Sequence, residues 1–232
     1  MKRTCLLTGA SGALGSAFIE RYAADLQIIA VHHERELNCA TQYQTIIDPL
    51  QPARVVSSRT YAIRADLSSE DSIAEMCSEA LEAFGGIDLL INAAVHRRYA
   101  HLLSDSALSD AERALAVNLL APIRIAVQLA NEYWDSRVDE NLRRNRNIVN
   151  LSSTAGLYVC ADLGQAMYGS AKAALIHATY HLASEFWNIG IRVNAIAPNT
   201  FPSIVSTESV LDQIMAFHGS EETGQLAVLD RA

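Results

Sequence analysis

Residues Cys5 to Asp25, CLLTGASGALGSAFIERYAAD, decide the fold. The stretch opens on a short apolar run, CLLTG, that reads as a buried strand, and closes on apolar residues at helical spacing from Gly15 to Asp25. Between them lies a glycine-studded turn, Thr8 to Gly15. Glycine lets the chain reverse sharply and lets backbone amides approach an anion with no Cβ in the way. The helix that follows offers unpaired N–H groups and a positive dipole end. A dinucleotide diphosphate fits such a junction, with Gly9, Ser11, Gly12, Leu14 and Gly15 as candidate contacts. Glycines near a helix start can equally be plain turn chemistry, so the rest of the chain must decide.

Outward from this turn the same alternation continues. IIAVH and YAIRADL read as strands, Ser69 to Phe84 as a helix with acidic residues in its first turn, and IDLLINAA as a strand. A helix is expected from about Ser109 to Ser136 through Pro122, then strand NIVNLSS, helix Tyr168 to Trp187 and strand IRVNAIAP. Strands that alternate with helices and are continuously apolar indicate a parallel sheet covered on both faces. The predicted fold class is α/β and doubly wound, with right-handed crossovers. Arg35 to Ser58 is polar and aperiodic, with Pro49 and Pro52, and is expected to be a long surface connection with a broken helix.

The chain of 232 residues, 50% hydrophobic, suits one α/β domain spanning 1–232, with no linker or repeat dividing it. Its net charge of −8 and pI near 5.3 argue against nucleic-acid and anionic-membrane partners. The one basic run, Arg143 to Arg146, is expected to be a solvated loop. Cys5, Cys39, Cys77 and Cys160 are scattered without metal or disulfide spacing, which suits a reducing cytoplasm. The start MKRTCLLTGASG, its apolar run broken at once by glycine, is expected not to serve as an export signal, and no apolar stretch is expected to reach the roughly 18 residues of a membrane span.

Tyr168 and Lys172 stand four residues apart, on one face of a helix. A free phenol, with a pKa near 10, is poorly matched to proton transfer at neutral pH. An adjacent ammonium favours the phenolate and is expected to lower that value, although such a pair can also be surface decoration. His177 and His181 have metal-compatible spacing but lack the glutamate of a zinc-protease helix. A packing or subunit contact is expected there, and no metal.

The ordered set Thr8 to Gly15, RADL with Asp66, INAA with Asn92, Asn118, NLSS with Ser153, Tyr168, Lys172, and RVNAIAP through Pro198 resembles the short-chain dehydrogenase/reductase family. The resemblance runs from Thr4 to about Thr207 and returns in TGQLAVLD, which looks like the family's last strand. It implies a Rossmann-type domain with a parallel sheet of about seven strands, and an oxidoreductase that interconverts a carbonyl and a secondary alcohol on a small molecule. It also implies roles: Tyr168 as general acid/base, Lys172 as its tuner and a ribose ligand, Ser153 rather than Ser152 as substrate orienter, and Asn118 as holder of a relay water. Asp66 would meet adenine beside Leu67, and Asn92, Ala93 and Pro198 would border the coenzyme. The long helices would bury the interface of a homodimer or homotetramer.

Several positions depart from the family pattern. Ala13 replaces a glycine in a T-G-x-x-G-x-x-G turn, Ile91 and Ala94 replace an asparagine and a glycine, and Asn199 stands where glycine is usual. Asparagine there is expected to tolerate a left-handed backbone. The interval from Ser153 to Tyr168 is two residues longer than usual, and the substrate-covering segment, about 199–222, is short. These departures keep open a cofactor-binding regulator or assembly subunit, and the glycine spacing keeps open an epimerase or dehydratase.

At the end of the second strand, where a carboxylate would select NAD, stand His32 and His33, with Arg35 beyond. This favours NADP, while Glu34 keeps NAD possible. His96, Arg97 and Arg98 are candidates for the substrate mouth, with Tyr158, Met167 and Phe201 as apolar neighbours.

Overall fold

The computed structural model describes residues 2–35, 37, 60–104 and 108–230, with the main chain of 44–46 and 54–56. In chain order the elements are β1 (Thr4–Thr8), α1 (Ala13–Tyr22), β2 (Gln27–His32), β3 (Gln44–Ile46), β4 (Arg54–Val56), β5 (Thr60–Arg64), α2 (Glu70–Phe84), β6 (Leu89–Asn92), α3 (Ala111–Leu115), α4 (Ala121–Leu129), α5 (Val138–Arg143), β7 (Asn147–Leu151), α6 (Ala166–Phe186), β8 (Arg192–Pro198), α7 (Thr207–Gly219) and β9 (Leu226–Leu229).

Seven strands form one parallel sheet in the order β5-β2-β1-β6-β7-β8-β9. Every residue of β1 and β7 is buried, as strands covered on both faces require. Successive side chains feed opposite layers. Leu6, Leu90 and Ile148 pack with Ile125, Leu129 and Trp134 on one face. Leu7, Ile91 and Val149 pack with Phe18, Leu211 and Phe217 on the other. This is the doubly wound fold that the alternation of elements predicts. Its strand order reverses between β1 and β6, so a crevice opens at the carboxyl ends of those two strands.

Local chemistry sets the element ends. The Ser69 hydroxyl accepts the Ser72 amide at 3.3 Å to start α2, with Glu70 and Asp71 in the first turn, and Gly85, at φ 69°, ends it.

Four expectations need correction. The described parts of 35–58 are a two-stranded antiparallel pair, β3 with β4, rather than a broken helix; the remainder, including Cys39, lies outside the described residues. The helix expected over Ser109 to Ser136 starts at Ala111, contains π turns at Ala116–Leu120 and Ala130–Trp134, and continues to Arg143. The first π turn lies directly ahead of Pro122, which has no N–H to give the ladder. An 18-residue window of Ala111–Arg143 reaches mean hydropathy 1.4, long and apolar enough for a span, and 44% of it is buried inside the fold.

The basic run is not a solvated loop either. Arg146 is 1% exposed, and both Arg144 and Arg146 bond Asp88 at the start of β6, at 2.6 and 3.2 Å. Asp88 also accepts the Thr4 amide at 2.9 Å, joining three strand starts on the side of the sheet away from the crevice. Burial tends to raise its pKa, but the bonds from Arg144, the Thr4 amide and Arg146 prevail and hold it below the usual carboxylate value.

Candidate active site

The glycine turn is fixed by close packing. Gly9 has φ +70°, and a Cβ there would lie 2.7 Å from the Ala94 Cα. The Thr8 hydroxyl accepts the amides of Ala93 and Ala94, each at 3.1 Å, and so ties the end of β1 to the end of β6. Gly12 caps α1 with no side-chain hydrogen bond, which leaves first-turn amides open toward the crevice. The crevice is a cleft of about 560 Å3 lined by Gly9, Ser11, Gly12 and Ala93 at this end. Its far end is lined by His32, His33, Arg35, Asp66 and Leu67.

Other expected contacts lie elsewhere. Leu14 is only 7% exposed and belongs to the core, and Gly15 packs on the main chain, where a Cβ would meet the Gly9 carbonyl at 2.5 Å. Asn92 lies beneath the cleft floor, donating to Asn150 Oδ1 at 2.8 Å, with its own Oδ1 unpaired. Asn199 is not left-handed: its amide donates to Leu229 O and its side chain to Asp230, both at 2.7 Å.

At the far end His32 Nδ1 is buried without a hydrogen-bond partner. His33 sits between Asp66 at 3.7 Å and Glu34 at 3.8 Å, and Arg113 approaches Asp66 at 3.6 Å. The Ser68 hydroxyl and amide hold Asp66 below the usual carboxylate value, aided by Arg113 and His33 against a smaller effect of burial. A cleft that a Cβ would close, an open helix start and an unpaired imidazole nitrogen together fit a dinucleotide.

Beside the cleft, β7 and α6 build a cavity of about 110 Å3 lined by Ser153, Tyr168, Pro198, Arg97, Tyr99 and Phe201, among others. The Ser153 hydroxyl accepts the Ala155 amide at 3.2 Å and shares the cavity with the Tyr168 phenol, near enough to pull its pKa down. Ser152 is committed elsewhere, donating to Lys172 O at 2.8 Å. Both serines line the cavity, and the Ser152 hydroxyl is the one already spent on the helix.

The electrostatics depart from the expectation. Burial raises the Tyr168 pKa above the ordinary phenol value, outweighing the pull of the Ser153 hydroxyl, with Tyr99 also raising it and Arg97 lowering it. Lys172 is 3% exposed, and burial first, then Arg97, brings it down to about 7. Its Nζ donates to Leu151 O at 2.7 Å and stands 5.9 Å from the centre of the Tyr168 ring. An ammonium largely deprived of water is itself driven toward neutrality, so it does not acidify the phenol here.

Asn118, fully buried in the first π turn, has both ends of its carboxamide bound to His96: Nδ2 donates to His96 O at 2.8 Å and Oδ1 accepts His96 N at 2.9 Å. It anchors the segment that carries His96 and Arg97. His96 also contacts Asp110, and Tyr99 meets Tyr168 edge-on with ring centres 5.7 Å apart. Tyr99, Ser68 and Arg113 escaped the sequence reading, since an isolated polar or aromatic residue in a loop or on a helix face carries no periodic signal. Tyr158 and Met167 line neighbouring hollows rather than this cavity. His177 and His181 are exposed, their Nε2 atoms 3.2 Å apart.

The sequence pattern of the short chain dehydrogenase family matches residues 3–213. Among curated relatives, the acetoacetyl-CoA reductase of Allochromatium vinosum is 31% identical over 85% of this chain and 74% of its own length. The chain spans from 32% to 74% of the length of the first curated relatives it matches. A Brucella ovis oxidoreductase of the same family, solved with a partially ordered NAD, is 26% identical, with a TM-score of 0.74 over 99% of this chain and all of its own. A Pseudomonas aeruginosa RhlG/NADP complex, 22% identical, shares the fold with a TM-score of 0.78 over 98% of this chain and 94% of its own. Glycine cradle, strand order and sequence agree: the chain belongs to the short-chain dehydrogenase/reductase family of nicotinamide-dependent oxidoreductases.

Proposed function

We propose that this oxidoreductase interconverts a carbonyl and a secondary alcohol on a small molecule, with NADP(H) preferred over NAD(H) and Tyr168 as general acid/base. The observation that carries this reading is that Ser153 and Tyr168 line one cavity, which shares Arg97 with the glycine-lined cleft. A bound reduced nicotinamide would supply a hydride to the carbonyl carbon. Ser153 holds the carbonyl oxygen, and Tyr168 delivers a proton to it as the alcohol forms. A phenol raised by burial stays protonated at neutral pH, which suits it to giving that proton. Lys172, poised near 7 one turn behind, is suited to restoring it. Asn118 keeps the His96 segment in register with both cavities.

Preference for NADP is supported by the unpaired His32 Nδ1 and by Arg35, both lining the ribose end, whereas Glu34 does not line the cleft. We extend the proposal to a homodimer or homotetramer through α4 and α6, whose outer faces leave Val127 and Tyr180 about 40% exposed, 39% and 41% respectively. The test follows absorbance of NADPH and NADH against a panel of ketones. Tyr168→Phe is expected to lose at least about 100-fold in turnover while coenzyme binding survives. Wild-type rates in Tyr168→Phe would refute the assignment.

A further inference from the structure

Arg97 lines both the 560 Å3 cleft and the 110 Å3 cavity that holds Tyr168. No aspartate or glutamate lines the smaller cavity; Thr154, Gln165, Asn199 and Thr200 are neutral, and Leu163 and Phe201 are apolar. Nearby, His96 contacts Asp110, Arg113 approaches Asp66 at 3.6 Å, and Arg98 acts on Asp110. Among the described residues Arg97 has no ion pair. The chain as a whole carries −8, so a lone guanidinium in an acid-free cavity runs against its average charge. Asn118 clamps the main chain of the preceding residue from both sides, which gives Arg97 a fixed root.

We infer that Arg97 reads the charge of the substrate: the protein acts on small carbonyl compounds bearing a carboxylate, that is, α- or β-oxo acids and the matching hydroxy acids. This rests on the carbonyl–alcohol reading above. A planar guanidinium fork matches a carboxylate with two parallel bonds. The cavity, about 110 Å3, has room for a carbonyl beside Tyr168 and a carboxylate within reach of Arg97. Hydride and proton add across the carbonyl, and the carboxylate passes through unchanged. Arg97 is also near enough to lower the pKa of both Tyr168 and Lys172, so a bound carboxylate would offset that pull and help keep the phenol protonated.

The experiment compares kcat/KM for pyruvate and acetoacetate with that for their methyl esters, using wild type, Arg97→Gln and Arg97→Lys. Wild type is expected to prefer the acids. In Arg97→Gln the acid-to-ester ratio is expected to fall about 30-fold, mostly through KM, with partial recovery in Arg97→Lys. A wild type indifferent to the carboxylate, or an Arg97→Gln that slows acid and ester equally, overturns the inference and leaves the oxidoreductase reading standing. A wild type that binds coenzyme but reduces no carbonyl overturns both.

Discussion

Replacing Lys172 with methionine should strengthen the fold while removing activity, and the gain should depend on pH. The folded lysine titrates near 7 and the unfolded one near 10.5. At about 1.4 kcal/mol per pH unit, the buried ammonium costs about 5 kcal/mol relative to the neutral amine. Between these two values the unfolded chain binds the proton and the folded chain does not, so the lysine's destabilising contribution is full below pH 7 and fades as pH rises toward 10.5. Methionine carries no such proton, although it forfeits the 2.7 Å bond to Leu151 O, worth about 1 kcal/mol. From pH 7 to pH 9.5 the stability of Lys172→Met relative to wild type should therefore decline by about 3 kcal/mol. Urea unfolding followed by circular dichroism at both pH values measures this directly. A difference between the two proteins that is the same at pH 7 and pH 9.5 would refute the burial argument, whatever its size.

Gly9→Ala should lose about 2 kcal/mol of stability and weaken coenzyme binding at least about tenfold, because its Cβ would meet Ala94 and its φ is left-handed. Thermal melts with and without NADPH check both effects, and a wild-type response to NADPH would contradict the cradle. Asp88→Asn should destabilise by about 3 kcal/mol at pH 7, since it leaves the buried Arg146 with Glu140 as its remaining carboxylate at 2.7 Å. Asp88 is held below the usual carboxylate value, so its contribution is present above that value and lost as pH falls through the lowered one. Urea titrations of the two proteins should converge in acid, and a constant gap down to pH 3 would count against the ion pair.

The sheet was legible because its strands are short, apolar and separated by helices, a pattern with one economical solution. The glycine turn was legible for the same reason, since it follows the first of those strands. What escaped depends on contacts between distant segments. Nothing in RRNR reveals that Asp88, more than fifty residues earlier, will draw Arg144 and Arg146 into the protein. Spacing placed Lys172 one turn from Tyr168, yet spacing says nothing of depth, and depth sets the sign of both shifts. The attachment of Asn118 to His96 requires the π turn, which no periodicity announces.

That turn has a further consequence. A π turn holds one residue more than an α turn, and each residue advances a helix by about 100°. Deleting any one of Ala116–Leu120 would close the bulge to ordinary pitch and leave Ile125 and Leu129 on the sheet, while removing the widened turn that carries Asn118 to His96. A one-residue deletion in this stretch would therefore act on the segment that carries His96 and Arg97 rather than on the core beneath the sheet.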